Sequence, residues 1–191
     1  MNRIIGAAAL FMLLGCFSAG LTFADMPPPW NEFEIGSAGG KYKAVVSVKA
    51  KIEGAAPGDL DYKISVFEIG EDVETALWSC DFDYDGYSGG MLSEDGSTFV
   101  CVNFWYYENQ PVVSIYRNGE KTGTIKGKDF FIYPARLVQT VSHQLWLNES
   151  GDNSRFVTTQ SAPIALEITT IDRKKHIIDL ESGKFLREST P

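Results

Sequence analysis

The chain has 191 residues, 44% of them hydrophobic, and sets 25 acids against 17 bases for a net charge of −8. An acidic chain without a basic run excludes nucleic acid as a partner and argues against electrostatic docking on anionic lipid. The acidity reads as solubility, and two histidines with no metal-type cysteine spacing offer no zinc site.

The chain opens on a leader. Arg3 is its one charge, Ile4 to Phe17 is an almost unbroken apolar run, and Thr22-Phe23-Ala24 places small residues three and one before Asp25. Charged start, short apolar stretch and small-residue cleavage site are the layout of a secretory signal peptide over residues 1–24. The run is shorter than the ~20 residues a membrane span wants. Its removal leaves 167 residues at a net charge of −9, enough for one domain. The expected location is periplasmic or secreted. Leu13-Leu14-Gly15-Cys16 also resembles the lipobox of bacterial lipoproteins, which implies a lipid on Cys16 and a membrane-anchored protein. The apolar stretch Phe17 to Phe23 is unlike a polar lipoprotein tether and favours cleavage after Ala24. Membrane association is expected only in the lipidated case.

Residues 25–38 form a Pro- and Gly-rich entry segment, with Pro27-Pro28-Pro29 extended and Gly36, Gly39 and Gly40 as punctuation. From Gly39 to Arg187 the chain is a series of short β-type runs, expected to form one domain. Lys41–Lys51 alternates, with Tyr42, Ala44, Val46 and Val48 on one face. Asp61–Ile69 and Thr75–Phe82 follow. Thr98–Tyr106 is apolar on both faces, as a strand in the middle of a sheet should be. Val112–Arg117 and Lys121–Ile125 flank Asn118-Gly119, the strongest hairpin signal of the chain. Arg155–Thr159, Leu166–Ile171, His176–Leu180 and Lys184–Arg187 complete the set. Asp129–Thr140 has room for a turn or two of helix, limited by Pro134. The expected fold is all-β: antiparallel sheets from three- to four-stranded units, arranged as a β-sandwich or an open, propeller-like set.

Lys41–Phe82, Thr98–Ile125 and Arg155–Arg187 form a faint internal repeat. Leu92-Ser93-Glu94-Asp95-Gly96 before a strand, and Ile178-Asp179-Leu180-Glu181-Ser182-Gly183-Lys184, resemble recurring phrases of β-propeller blades. Leu77–Ser142 is similar to a group of uncharacterised exported bacterial proteins. The shared outline is Leu-Trp-Ser, Leu-Ser-x-Asp-Gly, Asn-x-Trp, Val-x-x-Tyr-x-x-Gly and Val-Ser-x-x-x-Trp. The likeness covers about a third of the chain, implies blade-like sheets and export, and brings no activity with it. A closed propeller typically needs four or more blades, and three units leave the ring open.

Four features carry candidate chemistry. Asp81, Asp83 and Asp85 alternate before Gly86, which matches the first half of a calcium loop. Position twelve is Leu92 instead of glutamate, so the competing reading is a strand end with aspartates on its wet face. Gly86-Tyr87-Ser88-Gly89-Gly90 satisfies the G-x-S-x-G pattern, yet a strand follows where a nucleophile elbow needs a helix. Both histidines, His143 and His176, come after the serine, against the chymotrypsin-like order. The glycines read as a turning loop. Cys80 and Cys101 remain after leader removal and sit in successive runs, where a disulfide competes with two buried thiols. Phe104-Trp105-Tyr106-Tyr107 offers a stacking surface, with Tyr106 and Tyr107 nearest a turn and the candidate ligand-binding pair. Asn148-Glu149-Ser150 is a glycosylation sequon.

The sequence points to a non-enzymatic binding or envelope-associated module with no cofactor. Its partner is an unidentified protein or small molecule outside the cytoplasm. The alternative is a calcium-assisted hydrolase around Asp81–Ser88.

Overall fold

A computed structural model describes residues 32–50, 52–86, 88–148 and 153–186. The leader, the lipidation candidate Cys16, the first part of the entry segment and most of the sequon lie outside the described residues.

Three four-stranded antiparallel sheets form in chain order, each a simple meander. The first is β1 (Phe33–Gly36), β2 (Tyr42–Val48), β3 (Tyr62–Ile69) and β4 (Glu74–Phe82). The second is β5 (Ser88–Leu92), β6 (Thr98–Asn103), β7 (Pro111–Arg117) and β8 (Glu120–Lys126). A two-stranded ribbon of β9 (Val138–Gln139) and β10 (Gln144–Leu145) precedes the third sheet. That sheet is β11 (Ser154–Val157), β12 (Ala165–Thr169), β13 (Lys175–Asp179) and β14 (Lys184–Leu186). The repeat seen in the sequence is therefore a repeat of sheets. They stack without closing, and the fold is all-β.

Side-chain alternation explains the stacking. Across β2 and β3, Ala44 faces Val66 and Val46 faces Ile64, and all four are fully buried. On β6, Phe99 and Cys101 join the first sheet's core, while Val100 and Val102 point the other way into the third sheet's core. All six residues of β6 are buried. The middle sheet is thus covered on both faces, which its doubly apolar strand demands.

Turn chemistry sets the register. Asn118 and Gly119 both have positive φ (48° and 88°), the two-residue hairpin turn whose twist matches the strands it joins. The two blade-like phrases are also turn devices. Asp95 accepts from Ser93 Oγ at 2.6 Å and from the Ser97 N–H at 3.0 Å, ahead of Gly96 at φ 68°. Asp179 accepts from Ser182 Oγ at 2.5 Å and from the Glu181 N–H at 3.0 Å, ahead of Gly183 at φ 67°.

Two tryptophans tie layers together. Trp78 on β4 donates to the Gly96 carbonyl at 2.8 Å, joining the first sheet to the β5–β6 turn. Trp146, fully buried after β10, donates to the Asn103 carbonyl at 2.9 Å.

Several expectations change. The entry segment is not all approach: Phe33–Gly36 pairs with β2 as an edge strand. The glycine-rich Ser88–Leu92 is strand β5 and not a loop. Its Gly90 is required by close approach, because a Cβ there would lie 2.5 Å from Phe99 Cζ. The Asp129–Thr140 region holds short 3-10 turns, Gly127–Phe130 and Pro134–Arg136, and then strand β9 in place of an α-helix. The disulfide is not formed: Cys80 and Cys101 are free thiols. Cys80 lies opposite Ile64 on β4, and Cys101 lies between Gly90 and Ser114 on β6. Read from the sequence as successive, their strands belong to different sheets, because β5 intervenes and begins the next layer.

Candidate functional site

The end of β6 and the β8–β10 connection build a cleft of about 490 Å³. Its floor is pinned by main-chain bonds. The Tyr106 N–H donates to the Gln144 carbonyl at 2.8 Å, and the Tyr107 carbonyl accepts from the Gly127 N–H at 3.1 Å. One residue on, the Lys128 N–H donates to the Glu108 carbonyl at 3.0 Å. Trp105 and Leu145 form an antiparallel bridge beneath them. Tyr106 and Tyr107 both line this cleft, with Ile132, Pro134 and Leu137 as an apolar wall, Asn109, Gln110 and Gln144 as neutral amides, and Glu108 and Lys128 as its charged members.

The four consecutive aromatics separate by burial. Trp105 is buried, Tyr106 and Tyr107 are half-buried, and Phe104 is the most exposed. His143 stacks on Trp105 with centroids 4.7 Å apart and planes 16° from parallel, and meets Tyr107 edge-on at 6.4 Å. Burial, then the nearby charges of Glu108 and Asp129, push the Tyr106 hydroxyl above its ordinary range. It therefore stays an O–H donor across the neutral range.

A second cavity, of about 300 Å³, opens on the face of the middle sheet that carries Cys101. Asp83, Asp85, Ser88, Asn103, Ser114 and Lys121 line it. Asp85 accepts from Ser88 Oγ at 2.8 Å and from Asn103 Nδ2, and the Asn103 Oδ1 accepts the Trp105 N–H at 2.9 Å. Lys121 Nζ is 2.8 Å from Asp83. Asp81 stands apart, 2.6 Å from Lys49 Nζ, and does not line the cavity. Two of the three calcium-loop aspartates are therefore brought together, and each of the three has its own partner in hydrogen-bond or ion-pair contact. Among the described residues, no group of three or more His, Cys, Asp or Glu side chains converges as a metal site would.

Ser88 donates to the Asp85 carboxylate, and neither histidine stands beside it. His143 is on Trp105, and His176 packs edge-on against Phe130 at 5.1 Å and Phe185 at 5.9 Å. Neither lines the Ser88 cavity. Burial pushes the Cys101 thiol up to about 12 and Cys80 up to about 11, so neither is a thiolate nucleophile at neutral pH.

A third cleft, of about 430 Å³, lies between the β5–β6 turn and edge strand β11, with Arg117 beside Phe156 and Ile164. Residue-by-residue reading of the sequence did not reach it, because its walls come from two different sheets. The Ile132–Leu137 wall of the first cleft was missed for another reason. It follows neither helical nor strand periodicity, and its only local signal is apolar residues crowded around Pro134.

No helix among the described residues is long and apolar enough to cross a membrane. A scan against protein-family models and a search of curated proteins both find no match.

Proposed function

We propose that this chain is an exported, non-enzymatic binding module whose ligand seats in the Tyr106–Tyr107 cleft. The observation that carries the reading is the composition of that cleft. It has two half-buried phenols, an apolar wall, three neutral amides and one charge of each sign, Glu108 and Lys128, on a main-chain-pinned floor. Flat rings give contact area at low entropy cost, and amides orient a neutral polar ligand. The polar groups on the ring-and-amide side suit binding better than proton transfer. The leader supports a periplasmic or secreted location, with membrane anchoring only if Cys16 is lipidated.

The test is a backbone amide shift experiment with two probes, a neutral β-linked trisaccharide and a proline-rich decapeptide. Binding should move residues 106–110, 132–137 and 144. Tyr106→Ala/Tyr107→Ala should abolish the shifts while leaving the rest of the spectrum in place. Shifts centred elsewhere, or unchanged binding in the double variant, would overturn the assignment.

One observation favours a second reading. Asp83, Asp85 and Ser88 share the smaller cavity, as a calcium-assisted hydrolase would need. Under that reading millimolar calcium raises the melting temperature by linkage, chelator reverses it, and Asp83→Ala/Asp85→Ala abolishes the response. No calcium response sinks it.

A further inference from the structure

The segment from Lys126 to Val141 presents apolar side chains to solvent at an unusual density. Phe131 is 83% exposed, Tyr133 68% and Val141 67%, with Val138 also exposed. Isolated exposed apolar residues are ordinary, but four within eleven positions concentrate apolar surface on one segment. Ile132, Pro134 and Leu137 of the same segment line the cleft, so its two sides are divided.

Phe131 is the informative member. Its backbone is left-handed, φ 50° and ψ 37°, as the residue closing the Gly127–Phe130 turn. That position ordinarily takes glycine, and a bulky residue there is strained. Its ring gains little from burial in return. Strain held without packing benefit marks contact surfaces.

Charge indicates what the surface meets. Residues 126–143 carry Lys126, Lys128 and Arg136 against Asp129, a net +2 inside a chain of net −8. All three cations are exposed, and none is in an ion pair among the described residues. Asp129 accepts the Lys126 N–H at 3.0 Å, and Glu108 is the other acid nearby. Fields are screened over ~10 Å, so the local balance governs docking and the chain's total charge does not.

We propose that this segment docks on an anionic lipid bilayer, with Phe131, Tyr133, Val138 and Val141 entering the interface and Lys126, Lys128 and Arg136 on the headgroup phosphates. A protein interface would suit the aromatics and Arg136 but not the two lysines, whereas a bilayer interface takes all of them. Aromatic and apolar tips flanked by basic residues are what a bilayer interface accommodates. Lys128 also lines the cleft, so the cleft and the docking surface share one cation.

The experiment introduces Phe131→Trp in the full chain and mixes it with vesicles of phosphatidylcholine, alone or with phosphatidylglycerol, containing brominated lipid. Because the apolar run Ile4 to Phe17 also meets membranes, the readout is the added indole compared with the unsubstituted chain. Its emission should shift to the blue and be quenched in the anionic vesicles. Lys126→Glu/Lys128→Glu/Arg136→Glu should lower that quenching, with loop partitioning falling by at least on the order of 100-fold, the effect of losing the three cations alone. Circular dichroism of both variants checks the fold. An indole as exposed and unquenched with anionic vesicles as in buffer overturns the proposal, as does quenching indifferent to the charge reversal.

Discussion

The indole N–H of Trp146 donates to the main-chain carbonyl of Asn103 at 2.9 Å, and the side chain of that asparagine holds both Asp85 and the Trp105 N–H. One residue at the end of β6 therefore links the third sheet's core, the polar cavity and the floor of the Tyr106–Tyr107 cleft. Trp146→Phe removes the donor and leaves part of the indole volume empty, with the carbonyl facing apolar neighbours. A loss of about 2–4 kcal/mol is expected from the cavity and the stranded acceptor together. Urea unfolding followed by circular dichroism measures it. A loss well under 1 kcal/mol would mean water reaches the carbonyl.

Gly90 and Gly89 make a matched pair on β5. An added methyl at Gly90 meets the buried ring of Phe99 at 2.5 Å, with Phe33 Cε2 at 3.3 Å beyond it. At Gly89 it meets only Phe104 Cζ, at 3.3 Å, on an exposed ring that can swing away. Gly90→Ala should cost about 1–3 kcal/mol through overpacking. Gly89→Ala should be close to neutral. Equal costs would show that strand backbone freedom, and not ring contact, sets the requirement.

These glycines also mark where sequence reading stopped. Ten of the fourteen strands among the described residues were legible because apolar alternation and the Asn118-Gly119 turn are local signals. Strand β5 was hidden because glycine signals a turn when its neighbours are unknown, and only the Phe99 ring across the sheet explains it. The free thiols have the same cause. Cys80 and Cys101 are close in chain order, but the sheet boundary between β4 and β5 cannot be read from spacing. Tyr106 and Tyr107 were legible as aromatics near a turn. Their apolar wall at Ile132–Leu137 was not, since it arrives from a segment without periodicity.

The thiols predict a chemistry. Burial raises Cys80 to about 11 and Cys101 to about 12, against ~8.5 for an unfolded cysteine. A thiol pushed up on folding contributes stability that is fully present below the unfolded value. It is lost as pH rises from there through the folded value. Folding stability should therefore decline above pH ~8.5, and Cys101→Ala should flatten that decline. In native protein at neutral pH, both thiols should resist alkylation until denaturant is added, with Cys101 the slower. A mass increase of ~2 Da on reduction would instead establish a disulfide.

Asp95 and Asp179, with Asp172 held down against the upward push of burial by Lys174 and Thr170, contribute to the acid limb. Burial pushes Asp95 upward, but hydrogen bonds from Ser93 and Ser97 outweigh it and hold the carboxyl below its usual range. At Asp179 the leading influence is the Ser182 hydroxyl, again downward. Carboxyls lowered on folding contribute stability above the unfolded value of ~3.9 and lose it as pH falls through the folded value. Stability should drop below pH ~4. Asp95→Asn/Asp179→Asn keeps the turn acceptors and should flatten the acid limb. An unchanged slope in urea midpoints between pH 2 and 6 would assign acid sensitivity to other carboxyls.

Phe131 sets stability against surface function. Its left-handed backbone favours glycine, and its ring, 83% exposed, has little packing to lose. Phe131→Gly should therefore stabilise the fold by about 0.5–1 kcal/mol, the relief of strain reduced by the greater chain entropy of unfolded glycine. The same substitution should weaken association of the loop with anionic vesicles by removing its largest apolar side chain. Thermal unfolding and vesicle partitioning, measured on one variant, should move in opposite directions. A destabilised variant would show that the ring packs in solution, and partitioning unchanged by its loss would remove Phe131 from the docking surface.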